Sequence, residues 1–105
     1  MQHDQIVKTL EERLRDGHYD MILSCTEYKV HGKHGECDLF AIRGPYAVIV
    51  EIKGRDKHKA RKKAIYQLKK DMEWIQDQHP QVERFFTFYA YSNKRQIEIE
   101  WYQNL

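Results

Sequence analysis

The stretch Gly35-Glu36-Cys37-Asp38-Leu39-Phe40-Ala41-Ile42-Arg43-Gly44-Pro45-Tyr46-Ala47-Val48-Ile49-Val50-Glu51-Ile52-Lys53 carries two strand-like runs divided by Gly44-Pro45. Gly and Pro together punctuate a chain most strongly at turns, so the two runs read as a hairpin. With the turn at that dipeptide Arg43 faces Tyr46, and counting outward pair by pair sets Asp38 against Glu51. Residues directly opposed on a sheet have Cβ atoms about 4.5–5.5 Å apart, and like charges so placed repel. Glu51 and Lys53 are two apart and share a face, with Ala47 and Ile49 on the same side; Val48, Val50 and Ile52 fill the other. A run this apolar belongs to a strand covered on both faces, in the middle of a sheet. Two acids and a base at its end form either a salt-bridged surface turn or a site for a divalent cation. The second is preferred, because hard cations take one or two carboxylates and keep waters for a substrate.

Outward from this hairpin the periodicity changes twice. Ile6, Val7, Leu10 and Leu14 recur at three to four residues and predict a helix over 4–15, with Gly17 as its stop. Tyr19–Val30 reads as a strand, and His31–Gly35 as a polar connection. From Lys57 to about Gln78, Ala64, Ile65, Leu68, Met72 and Ile75 keep helical spacing, and His79-Pro80 ends that helix. Phe85–Tyr91 is an aromatic strand, read as core rather than as a base-stacking platform. Ser92–Arg95 reads as a turn, and Ile97, Ile99 and Trp101 alternate with polar residues in a last strand. The expected class is α/β: a single small domain over 1–105 in the order αβββαββ, with a mixed central sheet.

The chain has 105 residues and 12.8 kDa, enough for one core. Hydrophobic residues make up 41% and charged ones 32%, which excludes disordered and fibrous classes. Apolar runs fall short of a membrane span, and Met1–Gln5 does not resemble a secretory leader. Two cysteines, Cys25 and Cys37, are too few for a disulfide scaffold, so a reducing, cytoplasmic setting is expected. Net charge is only +2, yet nine Lys/Arg lie between Lys53 and Lys70 against one acid, Asp56. Such a block is either a solvated helix face or a confined phosphate-binding surface.

Asp38 followed thirteen positions later by Glu51-Ile52-Lys53 resembles the Asp…(Asp/Glu)-x-Lys motif of the PD-(D/E)xK nuclease superfamily. The Gly-Glu-Cys-Asp-Leu-Phe lead-in, the Val-Ile-Val-Glu-Ile-Lys strand and the basic helix are most similar to its small branch, which includes archaeal Holliday junction resolvases. The resemblance covers nearly the whole chain and implies a restriction-endonuclease-like core. It implies that Asp38, Glu51 and the Ile52 carbonyl ligate Mg²⁺ or Mn²⁺, and that Lys53 positions water or stabilises charge on the scissile phosphate. Gln67 matches a glutamine that relatives aim at the site, although a boundary glutamine is an equal reading. Relatives often add an acid from the first helix; Glu11 is preferred here over Glu12 and Asp4.

Lys33, Arg55, Lys57, Lys59, Arg61, Lys62 and Lys63 are the expected backbone-phosphate contacts, with His31 and His34 touching phosphate or merely solvated. Cys37 is expected to pack as a small hydrophobe. The implied activity is a metal-dependent endonuclease acting on branched or otherwise structured DNA, leaving 5′-phosphate and 3′-hydroxyl ends. A four-way junction cut symmetrically needs two sites, hence a homodimer. The compartment would be the nucleoid, or a host cytoplasm for a viral protein. The alternatives are a non-catalytic nucleic-acid-binding module of the same fold and a single-strand DNA or RNA nuclease.

Overall fold

In the computed structural model, which describes residues 1–55, 58–103 and 105, helix α1 (His3–Arg15) precedes three strands, β1 (Met21–Val30), β2 (Lys33–Arg43) and β3 (Tyr46–Arg55). Helix α2 (His58–Gln78) follows, then β4 (Arg84–Asn93) and β5 (Gln96–Tyr102). The strands form one mixed sheet in the order β1-β2-β3-β4-β5. Among the described residues only β3 and β4 run parallel. That pair is joined through α2, the long crossover that parallel strands require.

The central strand β3 divides two cores. Ala47 and Ile49 face α2, where Leu68 and Ile75 meet Phe40, Ile42 and Tyr28. Val50 and Ile52 face α1, where they meet Ile6, Val7, Leu10 and Leu39. Each fully buried aliphatic side chain contributes about 1.5–3 kcal/mol. Half-buried Trp74 seals the α2 layer by stacking on Tyr28, with ring centroids 4.6 Å apart, and by meeting Phe40 edge-on at 5.6 Å.

Turn chemistry sets the strand ends. Gly44 has φ +55, as a two-residue turn with glycine first demands, and Arg43 pairs with Tyr46 as expected. The register of that turn runs unbroken to Leu39 opposite Val50. The His31–Gly35 connection is shorter than expected. His31 (φ 51) and Gly32 (φ 77) alone make the turn, and Lys33 already pairs with Val30. The last turn is likewise only Lys94 (φ 49) and Arg95 (φ 64), since Ser92 and Asn93 pair with Ile97 and Gln96. Beyond α1 the left-handed residue is His18 (φ 57) rather than Gly17, and β1 starts at Met21 rather than Tyr19.

One irregularity shapes the site. Cys25 has φ 48, and the β1–β2 ladder skips Cys25 and Asp38 between Ser24–Leu39 and Thr26–Cys37. Cys37 and Phe40 therefore both reach the α2-side core, which strict alternation along β2 would forbid. Farther along β2, Gly35 passes under the Tyr28 ring, where a Cβ would lie 2.6 Å from two ring carbons. Gly35→Ala overpacks this contact at a cost of about 1–3 kcal/mol, so its melting temperature should fall by at least about 4 °C. Thermal unfolding followed by circular dichroism checks this, and an unchanged midpoint contradicts it.

Candidate active site

Where β2 and β3 part, a cleft of about 370 Å³ opens between the start of α1 and the middle of α2. Asp38, Glu51, Ile52, Lys53 and Gln67 all line it, together with His3, Glu36 and Gly54. The structure thus gathers the five principal residues expected from the sequence. Asp38 and Glu51 are nearly closed to solvent, at 6% and 3% exposure.

The backbone pairing of β2 with β3 ends at Leu39 and Val50, one step short of the expected Asp38–Glu51 pair. Asp38 Oδ2 accepts the Ile52 N–H at 2.9 Å, just beyond the last backbone pair of the β2–β3 ladder. Its Oδ1 lies 3.3 Å from His3 Nε2. Lys53 Nζ lies 3.4 Å from Glu51 Oε1. Glu51 Oε2 is buried and finds no hydrogen-bond partner among the described residues. Burial first, and then the charge of Asp38, pushes the Glu51 carboxyl up to about 9, against a smaller pull downward from Lys53. Burial and the neighbouring carboxylate thus favour the protonated form of Glu51.

Gln67 is held from below. Its Nε2 lies 2.8 Å from the Glu36 carbonyl oxygen, 2.8 Å from Asp71 Oδ1 and 3.0 Å from the Tyr28 hydroxyl. A carbonyl only accepts, which fixes the amide nitrogen on that side. The amide oxygen is therefore what Gln67 can offer to the cleft. Tyr28 in turn donates its hydroxyl hydrogen to Asp71 Oδ1 at 2.5 Å. Burial raises Asp71 to about 7, while the Tyr28 and Gln67 hydrogen bonds pull it back down. Its Oδ2, like Glu51 Oε2, has no partner among the described residues.

The remaining expected residues are spread more widely. Glu11 does not reach the cleft; it pairs with Arg15 at 3.1 Å, two helical turns from the end of α1 that does. From α1 it is His3 that meets Asp38. Arg61 turns from the solvent face of α2 toward β5, where Nη1 and Nη2 meet Glu100 Oε2 and Oε1 at 2.8 and 2.7 Å. It also lies over the rings of Tyr89 and Tyr91. Lys59, Lys62 and Lys63 are exposed on α2, and Arg55 is exposed at the end of β3. Lys33 is exposed but begins β2 rather than sitting in a loop. Lys57 lies outside the described residues. His31 Nε2 meets Glu73 Oε1 at 2.8 Å, and Lys70 Nζ donates to the His34 carbonyl at 2.8 Å. Cys37 is fully buried in the apolar layer, as expected.

His3, Glu36, Gly54, Tyr28 and Asp71 escaped the sequence reading as parts of the site. Asp71 carried a signal, being an acid on the same stripe of α2 as Ala64, Leu68 and Ile75. His3 carried none, since only the packing of α1 brings it to Asp38.

The donor set is hard: two carboxylates and a main-chain carbonyl, with one carboxylate oxygen unpartnered. It fits Mg²⁺ or Mn²⁺ and does not resemble a zinc site. Among the described residues no group of three or more His, Cys, Asp or Glu side chains converges on one point. Comparison with protein-family models and with curated proteins gave no match to this chain. Among the described residues no helix is long and apolar enough to cross a membrane.

Proposed function

We propose that this chain is a divalent-metal-dependent nuclease that hydrolyses phosphodiester bonds in branched or otherwise structured DNA. The order of helices and strands agrees with a restriction-endonuclease-like core. The observation that carries the reading is Glu51. A carboxyl buried beside a second carboxyl, with one oxygen unpartnered and a lysine against the other, is costly unless a cation and a phosphate come to it.

Asp38, Glu51 and the Ile52 carbonyl would hold Mg²⁺ or Mn²⁺, which supplies Lewis-acid polarisation of a phosphoryl oxygen. His3 and the Ile52 N–H hold the Asp38 carboxylate in place. Lys53 offers its ammonium to charge developing on the phosphate, a role that gains strength in a site partly closed to water. The Gln67 amide oxygen can accept a hydrogen bond from the attacking water and orient it. Cleavage would leave 5′-phosphate and 3′-hydroxyl ends. A symmetric cut at a four-way junction requires two such sites, and hence a homodimer.

The test is cleavage of a labelled four-way junction, a linear duplex and a single strand in Mg²⁺ or Mn²⁺, with EDTA and Asp38→Ala as controls. Junction-selective cutting lost in both controls is the expected result. Cutting confined to the other substrates would keep the nuclease and discard the junction. Binding without cutting in either metal would leave a binding module.

A further inference from the structure

Beside the carboxylate cleft lies a larger one, of about 680 Å³, lined by Gln5, Arg55, Ser92, Lys94 and Arg95. Gly54 lines both clefts, so the two adjoin there. None of the described residues lining the larger cleft is acidic. Asp4, the nearest acid along α1, is turned out to solvent at 95% exposure. The N-terminal end of α1, the positive end of its dipole, also opens here.

Arg55 arrives by a backbone device. Lys53 pairs with Tyr91, but Arg55 pairs with Ser92, so Gly54 is an extra residue in β3. Regular alternation would place Arg55 on the face of Glu51 and Lys53. The bulge reverses that parity and sends it to the α1 side. The β4–β5 turn brings the other two cations at a conformational cost. Lys94 and Arg95 both have positive φ, a geometry that Asn-Gly adopts easily and that Lys-Arg does not. Strain kept at a turn carrying two adjacent cations, in a cleft with no acid among its described lining residues, points to a ligand.

We infer that Arg55, Lys94 and Arg95 form a phosphate-binding site for the nucleic-acid strand that continues out of the carboxylate cleft past Gly54. This rests on the reading of that cleft as the place where the phosphodiester is cut. It moves the main strand contact away from α2, whose Arg61 is engaged by Glu100. The phosphate is either an internal phosphodiester or a terminal 5′-phosphate, which present the same chemistry to three cations.

The double substitution Lys94→Asn with Arg95→Gly tests this, because it removes both charges while installing the residues that the turn prefers. Binding of 3′-labelled single strands and duplexes is followed by fluorescence anisotropy in EDTA, so that turnover plays no part. The expected result is binding weaker by about 10-fold or more and a log K against log salt slope shallower by about 1.4 to 1.8 units. The melting temperature should be equal or higher. Arg55→Gln should shift the slope in the same direction by about half as much. Loss that is equal for 5′-phosphate and 5′-hydroxyl strands assigns the site to internal phosphodiesters, and loss confined to the former assigns it to strand ends. An unchanged affinity and slope in the double variant overturns the site, and parallel cleavage by the parent would show that the nuclease reading survives. A parent that neither binds nor cuts overturns both.

Discussion

Glu51→Gln yields a protein that melts about 4–8 °C higher than the parent at pH 8 and cuts nucleic acid at least about 10³-fold more slowly. The Glu51 carboxyl is raised from an ordinary 4.5 to about 9 by burial and by Asp38. A carboxyl raised in this way contributes stability that is fully present below its unfolded value and is lost as pH climbs through the folded one. The parent should therefore weaken between about pH 4.5 and 9. The glutamine variant carries no charge and should not share that part of the decline. The gap between the two melting curves should be small at pH 4.5, widen with pH, and exceed about 1 kcal/mol at pH 8. Mg²⁺ or Mn²⁺ should raise the melting temperature of the parent more than that of the variant, because the ion binds the folded carboxylate site. Melting curves over that range, with and without metal, measure all of this. A variant that tracks the parent at every pH would mean that Glu51 carries no buried strain, and the argument for a cation at this position would fall with it.

Phe40→Ala should cost about 3–5 kcal/mol, a large fraction of the roughly 5–15 kcal/mol that holds a small domain together. Phe40 is fully buried on β2, and Trp74 meets its ring edge-on at 5.6 Å. Removing the ring opens a void between the sheet and α2 that rigid neighbours cannot fill. The midpoint of urea unfolding should fall sharply with little change in slope, and the melting temperature should drop by at least about 12 °C. Phe40→Leu should recover more than half of the loss. If the alanine variant unfolds within about 1 kcal/mol of the parent, the α2-side layer does not hold the sheet.

Most of the framework was legible because local chemistry and tertiary need agree over most of the chain. Gly44-Pro45 permits one tight turn, and that turn sets the register from Arg43 to Leu39. The apolar run Ala47–Val50 could only be part of the strand between two layers. Asp38, Glu51 and Lys53 stand out because two acids and a base at the end of such a run are costly to bury. What stayed hidden depends on single backbone angles or on side chains that meet across the fold. Nothing in Ser-Cys-Thr announces a left-handed residue at Cys25, yet that angle lets Asp38 leave the ladder and reach the Ile52 N–H. A basic helix reads as uniformly solvated, whereas Arg61 spends its guanidinium on Glu100. Turn chemistry favours Asn and Gly, so from sequence the two-residue Lys94-Arg95 reversal reads as the longer turn Ser92–Arg95.

The parallel seam between β3 and β4 has a kinetic consequence. Every other strand pair is a local hairpin, of a kind that closes in about 1–10 μs. The seam alone must wait for a 21-residue helix to cross over, so the loop-closure entropy of the chain concentrates there. Asp38 and Glu51 sit on the early side of that step, whereas Gln67 arrives with the crossover helix and Lys94-Arg95 with the late hairpin. The chemical groups would thus converge in the same event that completes folding, and a half-folded chain would hold the carboxylates without the parts that use them.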